Sequence, residues 1–85
     1  MNTDFSEQAM ADLSYWNKTD PKKVDKIERL LDAIEAHPFE GIGKPEALKH
    51  DLQGYWSRRI DREHRIVYKV DSDIIFVASC RYHYK

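Results

Sequence analysis

The spacing of apolar residues changes from a helical to a strand-like repeat partway along this chain, and that change limits the folds open to it. Near the start, apolar residues recur at the spacing of one helix face: Phe5, Ala9, Leu13 and Trp16. Ser6 precedes them and can cap a helix that we expect over about residues 6–18. The first part of the chain therefore opens with an amphipathic helix.

A second helix is predicted directly after the first. The stretch TDPKK interrupts the chain, and Asp20 can cap a new helix that carries Pro21 in its first turn, where a missing N–H costs nothing. His37 and Pro38 end it. Its apolar stripe consists of Val24, Ile27, Leu30, Leu31 and Ile34.

The rest of the chain is typical of a sheet. FEGIGKPEALKHDLQG predicts a loop with one short helical turn near Ala47, and YWSRRI, RIVYKV and IIFVASCRYHY are rich in β-branched and aromatic residues. The turn sequences DREH and DSD separate these runs, which predicts a three-stranded antiparallel meander. We expect one α+β domain over residues 1–85, with both helices on one sheet face and the other face open.

Composition excludes several classes of protein. One cysteine, Cys80, leaves no partner for an internal disulfide, and its spacing from the four histidines does not match a zinc site. The acidic, polar start MNTDFSEQ does not resemble a signal peptide, and no apolar run reaches membrane-spanning length. These features predict a soluble cytoplasmic protein that needs no metal or cofactor.

The net charge of −1 hides an asymmetry between the two halves. Residues 1–43 carry five Lys/Arg against nine Asp/Glu, and residues 44–85 carry nine against six. An anion-binding site is therefore expected in the second half. The alternative is that both halves are ordinary solvated faces.

Several polar residues of the second half can reach the open sheet face: Glu46, Lys49, Arg58, Arg59, Arg65, Arg81, His83 and Tyr84. A carboxylate, a guanidinium and an imidazole can together cleave an RNA phosphodiester without metal. Arg58 and Arg59 must face opposite sides of a strand, so one of them is expected to be structural. Composition alone is weak support, since Glu46 can be a plain surface carboxylate and His83 a strand-end residue without a role.

The order of these residues resembles the YoeB toxins of the RelE superfamily. The resemblance lies in HPFEGIGKPEALKHDLQGYWSRRIDREHRIVYKV and the closing CRYHY, and YWNKTD extends it through the first helix. It implies a small α+β endoribonuclease that cuts mRNA in the ribosomal A site as the toxin of a toxin–antitoxin pair. Such toxins begin with a short apolar strand. MNTD is polar, so we expect that strand to be frayed or reduced here.

The resemblance also implies residue roles. Glu46 of GKPE is the general base, His83 of RYHY the general acid, and Arg65 of EHR the main phosphate ligand. Arg59 and Tyr84 assist at the phosphate and position the nucleotide. Lys49, a loop cation able to reach the same face, is a further substrate-binding candidate.

Partners follow from the same resemblance. It implies a YefM-like antitoxin whose disordered acidic segment folds over the site, contact with promoter DNA only through the antitoxin complex, and no membrane partner. It leaves open whether the protein forms a homodimer. Two alternatives remain: a non-catalytic module whose basic second half binds RNA or an acidic protein, and a nuclease acting on free RNA without ribosomes.

Overall fold

The computed structural model describes residues 1–82, in which two helices lie on one face of a five-stranded sheet. The helices are α1, Glu7–Thr19, and α2, Pro21–Ala36. The strands are β1, Asn2–Phe5, β2, Glu46–Ala47, β3, Trp56–Arg59, β4, Arg65–Asp71, and β5, Ile74–Ser79, with a single 3-10 turn at His50–Leu52. The α+β class and both helices are confirmed.

Local sequence signals set the helix ends. The Ser6 hydroxyl accepts a hydrogen bond from the N–H of Ala9 at 3.0 Å, which satisfies a free donor in the first turn of α1. Pro21 stands in the first turn of α2, and His37 ends that helix by donating its N–H to the carbonyl of Ala33. Both ends match the predicted ones to within a residue. Asp20 is the N-cap residue of α2 as predicted, but its side chain makes no capping hydrogen bond.

The sheet has the strand order β1-β5-β4-β3-β2. Strands β3, β4 and β5 form the predicted antiparallel meander, and β2 extends it in the antiparallel sense at one edge. At the other edge β1 pairs with β5 in parallel. The sheet is therefore mixed rather than purely antiparallel.

The first strand corrects the expectation that it would be frayed. Asn2–Phe5 pairs along its full length with β5, and the N–H groups of Asn2 and Ser6 donate to carbonyls of Asp73 and Val77. An edge strand needs only one buried side, and the half-buried Phe5 provides it by packing on the core. Polar residues at the alternate positions face solvent at no cost.

Two further boundaries differ from expectation. The last strand ends at Ser79 rather than continuing to the chain end, and Tyr82 adopts a φ of 66° that turns the backbone. Residues near Ala47 form β2 instead of a helical turn, which appears three residues later. Both differences depend on contacts with distant residues, which local propensity does not encode.

The core lies between the helices and the sheet. Ile27, Leu30 and Ile34 of α2 pack with Ile66 and Tyr68 of β4, and all five are at most 1% exposed. Trp16 is buried in the same cluster, as expected, and Trp56 packs half-buried against it. Neither helix of residues 1–82 has the length and apolar character to cross a bilayer.

Arg58 is fully buried and organises the loop before β2. Its guanidinium donates to the carbonyls of His37, Glu40 and Ile42, and its Nε donates to the Tyr68 hydroxyl. Arg58 is thus the structural member of the arginine pair. Its partners are carbonyl and hydroxyl oxygens rather than a carboxylate.

Gly43 closes this loop against the core. Its φ is +85°, and a Cβ placed there would lie 2.9 Å from Leu30 Cδ2 and 3.0 Å from Arg58 Cβ. Only glycine fits without displacing its neighbours. The tight passage brings the chain that follows, Lys44 and Glu46, to the edge of the sheet.

Candidate functional site

Strand register brings the predicted polar residues together on the sheet face opposite the helices. Glu46 lies opposite Ser57 in the β2–β3 pair, and Arg59 lies opposite Arg65 in the β3–β4 pair. Because side chains two apart on a strand share a face, Ser57 and Arg59 point to the same side. Glu46, Arg59 and Arg65 therefore share one face, as the sequence predicted.

Arg65 is held in a fixed orientation. Its Nε donates to the Ser57 hydroxyl at 2.7 Å, and its Nη2 donates to the carbonyls of Ser57 and Lys44 at 3.3 Å each. Only 9% of the residue is exposed. Among residues 1–82, Nη1 has no hydrogen-bond acceptor, so it remains available to an anion.

Glu46 stands beside this recessed cation. Its Oε1 lies 3.9 Å from Arg65 Nη2, and the Glu46 side chain is 56% exposed while that of Arg65 is 11% exposed. So long and exposed an ion pair adds little to stability. A carboxylate in water next to a fixed guanidinium is the arrangement that a base and a phosphate ligand require.

A cavity of about 450 Å³ adjoins Glu46. Residues 46–52 form its walls, and these include Lys49 and His50. Lys49 is thereby placed close to the predicted base. Arg65 does not line this cavity, so Glu46 is the residue that joins the cavity to the Arg65 guanidinium.

A second cavity, of about 360 Å³, is strongly basic. It is lined by four cations, Lys26, Lys44, Arg59 and Arg62, together with Gly43, Ile60 and Asp61. Asp61 forms an ion pair at 2.8 Å with Lys23, which offsets its charge. Clustered cations of this kind suit a nucleic-acid backbone. The sequence singled out only Arg59 of the four, and Lys26 comes from the acidic half of the chain.

The chain that leads to the C-terminus is fixed at two places. At Cys80, the carbonyl accepts from Trp16 Nε1 at 2.8 Å and the N–H donates to Asp12 Oδ2 at 3.0 Å. At Tyr82, the N–H donates to His64 Nδ1 at 2.7 Å and the carbonyl accepts from the Arg65 N–H at 3.1 Å. The chain therefore approaches its end directly beside Arg65.

Several predicted residues take other positions. His83 and Tyr84, the predicted acid and nucleotide contact, lie outside the described residues. Arg81 stacks its guanidinium on the Tyr15 ring of α1, 3.4 Å from the ring centroid, and is not brought to Glu46. The contact of His64 with Tyr82, 18 positions away, had no signal in the sequence.

Cys80 is a buried core residue. Burial, with a smaller contribution from the charge of Asp12, raises the pKa of its thiol to about 12. The thiol is therefore protonated at neutral pH and is a poor nucleophile or metal ligand. No group of three or more metal-ligating side chains occurs within residues 1–82.

Comparison with known proteins places this geometry in a family. Residues 5–84 match the family model described as YoeB-like toxin of bacterial type II toxin-antitoxin system. The chain is 52% identical to toxin YoeB of Escherichia coli (strain K12) over 80 residues, which is 94% of this chain and 95% of that protein.

Solved structures agree with this match. YoeB from Staphylococcus aureus, in a heterotetrameric complex with YefM, superposes with a TM-score of 0.92 at 53% identity, covering 99% of this chain and 98% of that one. The YoeB dimer from the same species superposes with a TM-score of 0.93, at the same identity and coverage. The family match, the identity and the shared fold lead to one conclusion: this chain belongs to the YoeB-like toxins of bacterial type II toxin–antitoxin systems.

Proposed function

We propose that this toxin is an endoribonuclease that cuts mRNA in the ribosomal A site by acid–base chemistry. The observation that carries the proposal is the pairing of a solvated carboxylate, Glu46, with the fixed guanidinium of Arg65 at 3.9 Å. Membership of a toxin family agrees with an activity that stops translation.

In the proposed reaction, Glu46 takes the proton of a ribose 2′-hydroxyl as that oxygen attacks the adjacent phosphorus. A 2′,3′-cyclic phosphate forms, and the bond to the 5′-oxygen breaks. His83 gives its proton to that leaving oxygen. Arg65 stabilises the negative charge that builds up on the phosphate oxygens, through donors already oriented before substrate binds.

Arg59, Lys49 and Tyr84 are the proposed substrate-binding residues. Arg59 lies opposite Arg65 in the strand pair and lines the basic cavity, so its cation is placed to hold a phosphate next to the reacting one. Lys49 lines the cavity beside Glu46. Tyr84 is included among these residues on the family resemblance alone.

A requirement for the ribosome follows from charge and exposure. The protein has a net charge of −1 and binds free RNA weakly by electrostatics alone. Glu46 is exposed and lies at the edge of the sheet, so the enzyme does little by itself to orient a flexible RNA. A ribosome-held mRNA supplies that orientation.

The proposed protein partner is a YefM-like antitoxin, since the YoeB of Staphylococcus aureus is found in a complex with YefM. An acidic segment of such a partner is complementary in charge to the cations around Arg59 and Arg65, and it would block access to Glu46. Contact with promoter DNA is proposed only through the antitoxin. A homodimer is proposed by analogy with the YoeB dimer of the same species.

Primer extension on a translated mRNA tests the proposal. Pure protein is added to programmed ribosomes, and in parallel to the same mRNA without ribosomes at matched salt. The expected result is a discrete cut in the A-site codon that depends on ribosomes. Equal cutting of free RNA would support the nuclease that works without ribosomes. Binding without any cut would support the non-catalytic module.

A further inference from the structure

We propose that His64 is a positioning residue for the general acid, because its imidazole anchors the backbone from which His83 extends. The inference rests on the proposed function. His64 Nδ1 accepts the N–H of Tyr82 at 2.7 Å, and Tyr82 is the residue immediately before His83. The imidazole thus fixes the chain one residue away from the acid.

Two neighbouring residues, His64 and Arg65, form hydrogen bonds with the backbone of Tyr82. The His64 side chain accepts a bond from the Tyr82 N–H, and the Arg65 N–H donates to the Tyr82 carbonyl at 3.1 Å. Tyr82 has a φ of 66°, a conformation that costs a tyrosine energy and persists only when its surroundings impose it. The two hydrogen bonds impose it.

The imidazole itself is held in place. The His64 ring stands edge-on to the Trp16 ring, with centroids 4.7 Å apart. The backbone N–H of His64 donates to Asp61 Oδ1 at 2.7 Å. Trp16 also binds the carbonyl of Cys80, two residues before Tyr82. One aromatic cluster therefore supports the C-terminal chain at two points, Cys80 and Tyr82.

The anchor links the acid to the phosphate ligand. His64 and Arg65 are neighbours at the start of β4, so the residue that anchors Tyr82 is directly followed by the proposed phosphate ligand. Without the anchor, a smaller fraction of molecules holds Tyr82 in this conformation, and the rate falls with that fraction. Substrate binding through Arg59 and Lys49 stays intact.

The chemistry of the two partners fixes the direction of the hydrogen bond. The backbone N–H of Tyr82 can only donate, so Nδ1 of His64 is the acceptor.

A scalar coupling across the hydrogen bond tests the geometry directly. In ¹⁵N-labelled protein at neutral pH, a coupling between Tyr82 N and His64 Nδ1 is expected. Its absence at neutral pH, with the Nδ1 signal showing a bound proton, would overturn the proposal. This measurement needs no variant and no activity.

Three variants test the effect on catalysis. His64→Ala removes the acceptor, His64→Asn keeps an acceptor oxygen the same number of bonds from Cα, and His37→Asn is a matched control at an exposed helix end. On saturating ribosomes we expect His64→Ala to lower kcat by about 10- to 100-fold with KM unchanged. His64→Asn should restore kcat to within about threefold of the parental value, and His37→Asn should leave it unchanged.

Rescue by asparagine separates an anchor from a merely structural histidine, because His64→Asn keeps the acceptor and His64→Ala does not. Equal kcat for the Ala and Asn variants would overturn the proposal. If His64→Ala does not fold, the kcat of His64→Asn and the coupling decide. A parental protein that cuts no mRNA contradicts the proposed function instead, and the coupling still tests the anchor.

Discussion

Ser57 and Arg65 form the hydrogen bond that orients the proposed phosphate ligand, with Ser57 Oγ 2.7 Å from Arg65 Nε. Ser57 is fully buried beneath the guanidinium, so no water can replace the hydroxyl at low cost. The pairing of β3 with β4 sets the distance between the backbones of Ser57 and Arg65. The side-chain bond sets the direction in which Nη1 points.

Ser57→Ala should therefore lower both activity and stability. Loss of the acceptor frees the guanidinium to rotate, and we expect ribosome-dependent cleavage to fall by about tenfold or more. The unpaired Nε should cost about 1–3 kcal/mol of unfolding free energy. Single-turnover rates and urea titration measure the two effects, with the exposed Ser14→Ala as control. Parental rates in Ser57→Ala would contradict the role given to this bond.

Arg58 and Arg59 should respond in opposite ways to the same substitution. Arg58→Met leaves several loop carbonyls without their donor and should lower the unfolding free energy by more than about 2 kcal/mol. Arg59→Met removes an exposed cation, so stability should change by less than about 0.5 kcal/mol while cleavage falls. Thermal melts and primer extension on both variants check this. A stable Arg58→Met protein would show that the loop does not depend on the guanidinium.

Asp61 should make stability depend on pH. Burial acts to raise the pKa of its carboxyl, but bonds from Lys23 and from the N–H groups of Glu63 and His64 outweigh burial and lower it below 3.8. A lowered folded pKa means that this stability is fully present above the unfolded pKa and is lost as pH falls through the folded one.

The expected difference in unfolding free energy between the parent and Asp61→Asn is about 1 kcal/mol at neutral pH. The asparagine keeps the acceptor oxygen of the turn, so the comparison isolates the charge. Urea titrations at a series of pH values should show this difference shrinking below about pH 4. A difference that stays constant into strong acid would contradict the role of the Lys23 pair.

The Cys80 thiol should be inert in the folded protein. With a pKa of about 12 and no exposure, it should react with a thiol reagent at pH 8 about a thousandfold more slowly than in the same chain unfolded in urea. The time course of thiol modification, with and without urea, measures this. Rapid modification of the folded protein would mean that the last strand opens readily.

The helices and the meander were predictable because their signals are local. The apolar stripe of α2, the Pro21 start and the turn sequences each act within a few residues. The parallel strand Asn2–Phe5 was missed because its partner lies about seventy residues away and its own composition is polar. Edge pairing of that kind depends on tertiary contact rather than on propensity.

The site was predictable only in part, for the same reason. Strand alternation separated Arg58 from Arg59, and the family resemblance selected Glu46 and Arg65 from the many charged residues. Nothing local pairs His64 with Tyr82, 18 positions apart, or brings Lys26 of α2 to the cavity of Arg59. Such juxtapositions arise from the packing of whole elements.

The most direct test of the account is the single-turnover cleavage rate of Glu46→Gln on mRNA held in the ribosomal A site. The amide keeps the shape of the side chain but cannot accept the 2′-hydroxyl proton. We expect the rate to fall by about a hundred- to ten-thousandfold, with melting temperature and ribosome binding unchanged. Glu28→Gln, a change at an exposed glutamate of α2, should cut at the parental rate. Cleavage by Glu46→Gln at that rate would contradict the assignment of Glu46 as the base.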